Sequence, residues 1–270
     1  LARTSNQQTD AKPLECSGMV WLGNQLILTS DRHGHVLFRC PVDLERMAIG
    51  EPEPLVVIRN EQYLLEDAEG ITARTDNGRE ATVYVMCSLS NDVAERPLPK
   101  RRHMLRVRWN VAAGVPIGPP VVLSAGAVRD ALTSCFNAVG IDAYRTFDAD
   151  FVGPDKNTYR WGNVEGLAFT PDGSLLLCGM RNPLLRGHAL LFSLRGVGEA
   201  FDGQDAGRFA LADVFTLDLG ERGVSDLCWD PVTGGYLLAA AKSNGPKLSK
   251  DQPFPPNTLD SALFWWSGRK

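Results

Sequence analysis

The chain lacks most of the features that announce a chemistry. Its 28 Lys and Arg stand against 32 Asp and Glu, a formal net charge of −4. The one basic block is Lys100-Arg101-Arg102, after Pro97 and Pro99. Nucleic-acid binding leaves a basic stripe or patch; none is present, so that class is excluded and the block reads as a solvated loop rather than an anion contact. No apolar run of about 18 residues occurs, so no membrane span is expected. A secretory leader pattern is absent too. Leu1 stands where a Met would begin a chain, and the expectation is that an upstream segment has been removed or left out.

Cysteine is sparse, and no two form a CxxC pair, so zinc is not signalled. Cys16, Cys40, Cys87, Cys135, Cys178 and Cys228 read as reduced core residues behaving as small hydrophobes. That favours a cytoplasmic setting, with the periplasm as the alternative. No GxSxG nucleophile elbow occurs. Gly78 and Gly173 are turn glycines with no helix after them, which excludes phosphate loops. Strands follow one another through turns, not helices, which excludes a doubly wound α/β fold.

What is present is a repeat. Ser17-Gly18-Met19-Val20-Trp21, Glu69-Gly70-Ile71-Thr72-Ala73, Glu165-Gly166-Leu167-Ala168-Phe169 and Ser225-Asp226-Leu227-Cys228-Trp229 align. In each, a small or acidic pair opens a short apolar strand. Turn residues follow, such as Asp76-Asn77-Gly78, Pro171-Asp172-Gly173 or Asp230-Pro231-Val232-Thr233-Gly234. A second apolar strand comes next, then a third: Val36–Arg39, Met104–Trp109, Ala189–Ser193 and Ala262–Trp266. A fourth is expected at Pro54–Ile58, Pro120–Leu123 and Leu211–Leu217. Four short strands per repeat make an all-β chain, a β-propeller. Strands buried on both faces read as continuous apolar runs, as these do.

About four blades are visible, the last incomplete. The expectation is a single propeller domain over 1–270, C-terminally incomplete, with five blades in the full protein. The long interval between the second and third openings is assigned to a helical or loop insertion over 124–162. Within it Val128, Ala131, Leu132, Cys135, Phe136 and Val139 recur at helical spacing.

Propeller geometry brings strand-one openings and strand-two exits to one channel face. The openings supply Ser17, Asp67, Glu69, Asn163, Glu165, Ser225 and Asp226. The exits supply Ser30, Asp31, Arg32 and His33, then Ser88, Ser90 and Asn91, then Arg181 and Asn182, then Lys242, Ser243 and Asn244. From these, the ligand-binding candidates are Asp31, Arg32, Glu69, Ser88, Glu165, Arg181, Asn182, Asp226 and Lys242. Opposed fixed charges around a constricted channel suit an ion or a small anionic ligand. His33 and His35 share a side of their strand but lack an evident third ligand. Trp265 and Trp266 read as blade core and edge packing.

These motifs, Asp67-Ala68-Glu69-Gly70-Ile71, Asn163 through Gly173, Arg181-Asn182-Pro183-Leu184 and Gly223 through Pro231, resemble the DUF3616 family of bacterial β-propeller proteins. The resemblance runs from about Leu14 to Lys270 and implies a propeller fold with no settled activity. The Glu-Gly openings are also similar to those of esterase-like phytase and gluconolactonase-type propellers, in which a Glu near a strand opening holds a divalent metal. That resemblance implies Glu69 or Glu165 as a ligand, although the full Glu-Asn-Asp signature is missing.

Three functions remain. The first is a binding module for a ligand or protein partner, using the polar face. The second is a metal-dependent hydrolase of phosphate esters or lactones. In it Glu69, Glu165 and Asp226 would hold Ca²⁺ or a similar ion, and Arg181 and Lys242 would hold the anionic part. The third, a structural domain of a larger assembly, predicts an exposed apolar patch.

Overall fold

A computed structural model describes residues 14–75, 78–90, 99–123, 126–138, 140, 150–152, 158–160, 162–242 and 261–269. The chain is an all-β protein of the β-propeller class, with four antiparallel blades among the described residues. It falls into two compact units: 1–89, 98–131 and 196–209 form the first, and 90–97, 132–195 and 210–270 the second.

Unit 1 holds blades 1 and 2. Blade 1 runs β1 (Cys16–Leu22), β2 (Gln25–Ser30) and β3 (Val36–Asp43), with β4 (Ala48–Ile49) and β5 (Glu53–Val56) both pairing with β3. Blade 2 runs β6 (Ala68–Thr75), β7 (Glu80–Cys87), β8 (Met104–Asn110) and β9 (Val115–Leu123) in sequence order. Between the blades lies an apolar core that includes Ile27, Leu37, Ile71, Val83, Val85, Leu105 and Trp109. Side chains of this size contribute roughly 1.5–3 kcal/mol each on full burial. The blades approach closely at their openings. A Cβ on Gly18 would stand 2.5 Å from the Glu69 carbonyl oxygen, which explains the glycine there. The short helix Val197–Asp202 lies in this unit, and its Phe201 packs edge-on against Tyr84 at 5.5 Å.

Unit 2 contains the hairpin β10 (Asp150–Val152) and β11 (Thr158–Arg160), then blades 3 and 4. Blade 3 is β12 (Asn163–Phe169), β13 (Leu176–Asn182), β14 (Ala189–Arg195) and β15 (Ala210–Leu217). Blade 4 is β16 (Gly223–Asp230), β17 (Gly235–Ala241) and β18 (Ser261–Trp266). Their shared core includes Ala168, Leu191, Val224, Leu227, Leu238 and Trp266. A Cβ on Gly166 would meet the Leu227 side chain at 2.6 Å, so the second glycine opening has the same cause as the first.

The expected helix spans Ala127–Ala138. Val128, Leu132 and Phe136 are fully buried, and Phe136 meets Phe192 at 5.2 Å. Val139 and most of 141–157 lie outside the described residues, as do Asp76, Asn77, Asn91, Ser243 and Asn244. Among the described residues, no helix is long and apolar enough to cross a membrane.

The reading of every cysteine as buried requires correction. Cys40, Cys87 and Cys178 are buried, but Cys16 and Cys228 are exposed and Cys135 is intermediate. Cys228 stands opposite Leu237, and Leu237 stands opposite Trp265. That row faces away from blade 3, so Leu237, Leu263 and Trp265 are 42%, 81% and 53% exposed. In blade 3 the corresponding position is Ala168, which blade 4 covers. An apolar run in the sequence does not say which face of a sheet has a neighbour.

Candidate functional site

Each blade opens on a β-bulge. Cross-strand register skips between Cys16 and Gly18, Ala68 and Gly70, Val164 and Gly166, and Val224 and Asp226. Ser17, Glu69, Glu165 and Ser225 are therefore the unpaired residues. A bulge bends the strand and re-aims a side chain. The repeated Ser/Glu positions in the sequence are these bulges.

In unit 1 the openings and exits bring carboxylates together. One oxygen from each of Asp31, Asp67 and Glu69 lies within 4.8 Å of the others, the one such group of three among the described residues. Asp67 has φ 58°, a left-handed conformation that Asp tolerates better than most residues. It is held there by Ser88, whose N–H donates to the Asp67 carbonyl at 2.8 Å and whose hydroxyl donates to Oδ2 at 2.5 Å. Arg101 Nη1 lies 3.2 Å from the same Oδ2, and its Nε lies 3.5 Å from Glu66. Leu89, buried, also has positive φ, at 65°. Such strain in a bulky residue persists only where its surroundings enforce it.

Asp31 is the least satisfied member. Its Oδ1 is buried and has no hydrogen-bond partner. Burial pushes its carboxyl above the ordinary range, and the Asp67 and Glu15 charges add to that. Arg32 turns to Glu15 instead, at 2.7 Å. Ser17 donates its hydroxyl to the Ala68 carbonyl, joining the two blades. His33 Nδ1 lies 3.1 Å from the Ser30 hydroxyl and its ring meets Phe38 edge-on.

Unit 2 solves the same position differently. Glu165 is 7% exposed. Arg181 Nη1 donates to both of its oxygens, at 2.9 and 3.3 Å, and Asn163 Nδ2 donates to Oε1 at 2.9 Å. Arg181 Nη2 also reaches the Lys242 carbonyl at 3.5 Å, while Lys242 itself is exposed. Asn182 stands opposite Asn163 in the register. Asp226 accepts the Leu227 N–H at 2.8 Å, and burial pushes its carboxyl up to about 6. Asn163 Oδ1 and Ser225 Oγ are buried without hydrogen-bond partners.

The structure thus places Glu69 beside Asp31 and Asp67, Ser88 on Asp67, and Glu165 on Arg181. The solvated loop expected at Lys100-Arg101-Arg102 requires correction. Arg101 is instead a counter-ion of Asp67, and burial lowers the Arg102 pKa. Nothing in the local sequence marks this, because Arg101 arrives from a separate turn, Pro99–Arg102.

No protein-family model matches the chain, and no curated protein does. Among solved structures, it is similar to an endo-arabinase from Bacteroides thetaiotaomicron at 11% identity and TM-score 0.45, covering 92% of this chain and 72% of that one. An α-L-arabinofuranosidase from Clostridium thermocellum gives 9% identity and TM-score 0.43, covering 93% and 68%. A hydrazine synthase from Kuenenia stuttgartiensis gives 10% identity and TM-score 0.37, and there the chain spans only 62% of the other's length.

Proposed function

We propose that the chain is a binding propeller whose unit 1 mouth takes a divalent cation such as Ca²⁺ through Asp31, Asp67 and Glu69. The cation would present itself to an anionic small ligand or a protein partner. One observation carries this reading: Asp31 Oδ1 is buried beside two further carboxylates and has no hydrogen-bond partner. A buried carboxylate without a counter-charge is costly, and a hard cation repays it. An all-oxygen donor set suits Ca²⁺, Mg²⁺ or Mn²⁺ better than Zn²⁺.

A second reading, a metal-dependent hydrolase of phosphate esters or lactones, rests on the same oxygens. A cation there would polarise a substrate and activate water. Membership of the DUF3616 family is part of this proposal and rests on the sequence motifs at the openings and at Arg181-Asn182-Pro183-Leu184 alone. A cytoplasmic location is supported by the six free thiols.

Calorimetric titration with Ca²⁺, Mg²⁺, Mn²⁺ and Zn²⁺ tests the site. Stoichiometric binding is expected for wild type and for Glu165→Gln, with loss in Asp31→Asn and Glu69→Gln. If no ion binds or raises the melting temperature of wild type, both readings fail. If an ion binds, an ester and lactone screen separates them.

A further inference from the structure

A second feature of unit 1 is a cleft of about 690 Å³ with no part in the polar mouth. Its lining comes from the segment leaving blade 1 after β5, the outer strand β9 of blade 2, and Gln204. This volume lies within the range of small-molecule pockets, roughly 300–1,000 Å³.

The cleft exists because β9 departs from the ladder. Val121 pairs with Arg106, yet Ile117 pairs with Arg108. Gly118, Pro119 and Pro120 therefore bulge out opposite the single residue Val107. A Cβ on Gly118 would meet nothing within 4 Å. Across from the bulge, Val57 and Ile58 are buried and their N–H groups point to the His35 carbonyl, each at 3.3 Å. Tyr63 is fixed on the same wall by its N–H to the Asn60 carbonyl at 3.0 Å.

The chemistry of the lining selects the occupant. Pro116, Pro119 and Pro120 offer no N–H, so this edge is poorly suited to pairing with an added peptide strand. The larger part of the lining is apolar and fits an apolar ligand body. The one charged residue of the lining is Arg59, and no carboxylate lines the cleft. No ion pair or hydrogen bond engages the Arg59 side chain among the described residues.

We infer that this cleft binds a small apolar monocarboxylate, its chain lying against Tyr63 and the β9 prolines and its carboxylate meeting Arg59. Decanoate is a suitable probe and decanol its neutral counterpart. Titration of the whole chain followed by calorimetry is expected to show saturable one-to-one binding of decanoate. Arg59→Gln should weaken decanoate about tenfold, a charge-assisted hydrogen bond's worth, and leave decanol unchanged. Gln204→Trp, which takes up space in the lining, should weaken both. Arg59 and Gln204 are exposed, so both variants are expected to keep the wild-type circular dichroism. The inference is overturned if wild type shows no saturable decanoate binding, or if Arg59→Gln lowers decanoate and decanol affinity equally or neither. Full decanoate affinity in Gln204→Trp would move the ligand to another surface and overturn it as well.

Discussion

Glu69 and Glu165 occupy the same place in the repeat, yet their surroundings differ. Each is the bulged residue at the opening of an inner strand. Glu165 has an arginine and an asparagine donating to it inside its own unit. Glu69 has Asp31 and Asp67 for neighbours. One bulge is neutralised within the blade pair, whereas the other stands beside two further carboxylates, of which Asp67 faces Arg101. A repeat therefore fixes where a side chain emerges, while the exits opposite decide whether it holds the blades together or meets something from outside.

The largest expected effect breaks the unit 2 arrangement. Arg181→Met would leave Glu165, whose side chain is 9% exposed, charged and buried without its counter-ion. Removing one partner of a buried pair typically costs about 3–5 kcal/mol. Because Arg181 is 31% exposed, the lower end, about 3 kcal/mol, is expected from urea denaturation. Adding Glu165→Gln to Arg181→Met should recover most of that loss. A double variant as unstable as the single one would mean that Arg181 acts through packing, and the contrast between the two bulges would lose its electrostatic basis.

Asp226 sharpens the comparison because its burial is offset by no ion pair among the described residues. In the folded state it titrates near 6, against 3.8 for the ordinary group. Between those values the folded state holds more protons than the unfolded one. Stability therefore falls as pH rises through that window and stays reduced above it. Asp226→Asn keeps an acceptor for the Leu227 N–H and removes the titration. A gain of about 2 kcal/mol is expected at pH 7, vanishing below about pH 4. Denaturation midpoints measured across this range would decide it, and a gain that persists at low pH would point to a cause other than charge.

Much of this contrast was legible in the sequence, and the rest was hidden for a definable reason. Four openings, the apolar second strands, the helix over Ala127–Ala138 and the outer strands near Pro54, Pro120 and Leu211 all follow from short-range pattern. The glycines at Gly18 and Gly166 were visible as a motif, and their cause is close approach of the neighbouring blade. Partner choice was not legible. Arg181 and Asp31 both come from second-strand exits, but one reaches the bulged glutamate as a donor and the other as a further carboxylate. Arg101 reaches Asp67 from a turn that no periodicity connects to it. Cys228 looked buried because its strand is apolar, and its exposure depends on which face has a covering sheet.

Unit 1 should respond with the opposite sign. Glu69→Gln removes one of several like charges, so in the presence of a chelator stability is expected to stay level or rise by up to about 1 kcal/mol. Glu165→Gln should instead lose about 1–2 kcal/mol through its weakened hydrogen bonds to Arg181 and Asn163. Paired thermal melts with and without a chelator read both. Destabilisation of similar size in the two variants would show that Glu69 has structural partners as strong as those of Glu165.

The smallest expected effect concerns Arg32, which separates the charge of the mouth from the strength of any one pair. Its bond to Glu15 joins side chains 46% and 45% exposed, and such pairs contribute about 0–1 kcal/mol. Arg32→Ala should therefore change stability by less than about 0.5 kcal/mol. It also leaves the mouth more negative, next to Asp31. If the carboxylates attract a cation, Ca²⁺ affinity should rise about twofold at low ionic strength, and the gain should fade in about 0.5 M salt, where the screening length shrinks to a few ångströms. A loss of affinity would instead show that Arg32 holds Glu15 in a productive position. The exposed pair would then belong to the binding arrangement, alongside the Arg101 that already faces Asp67.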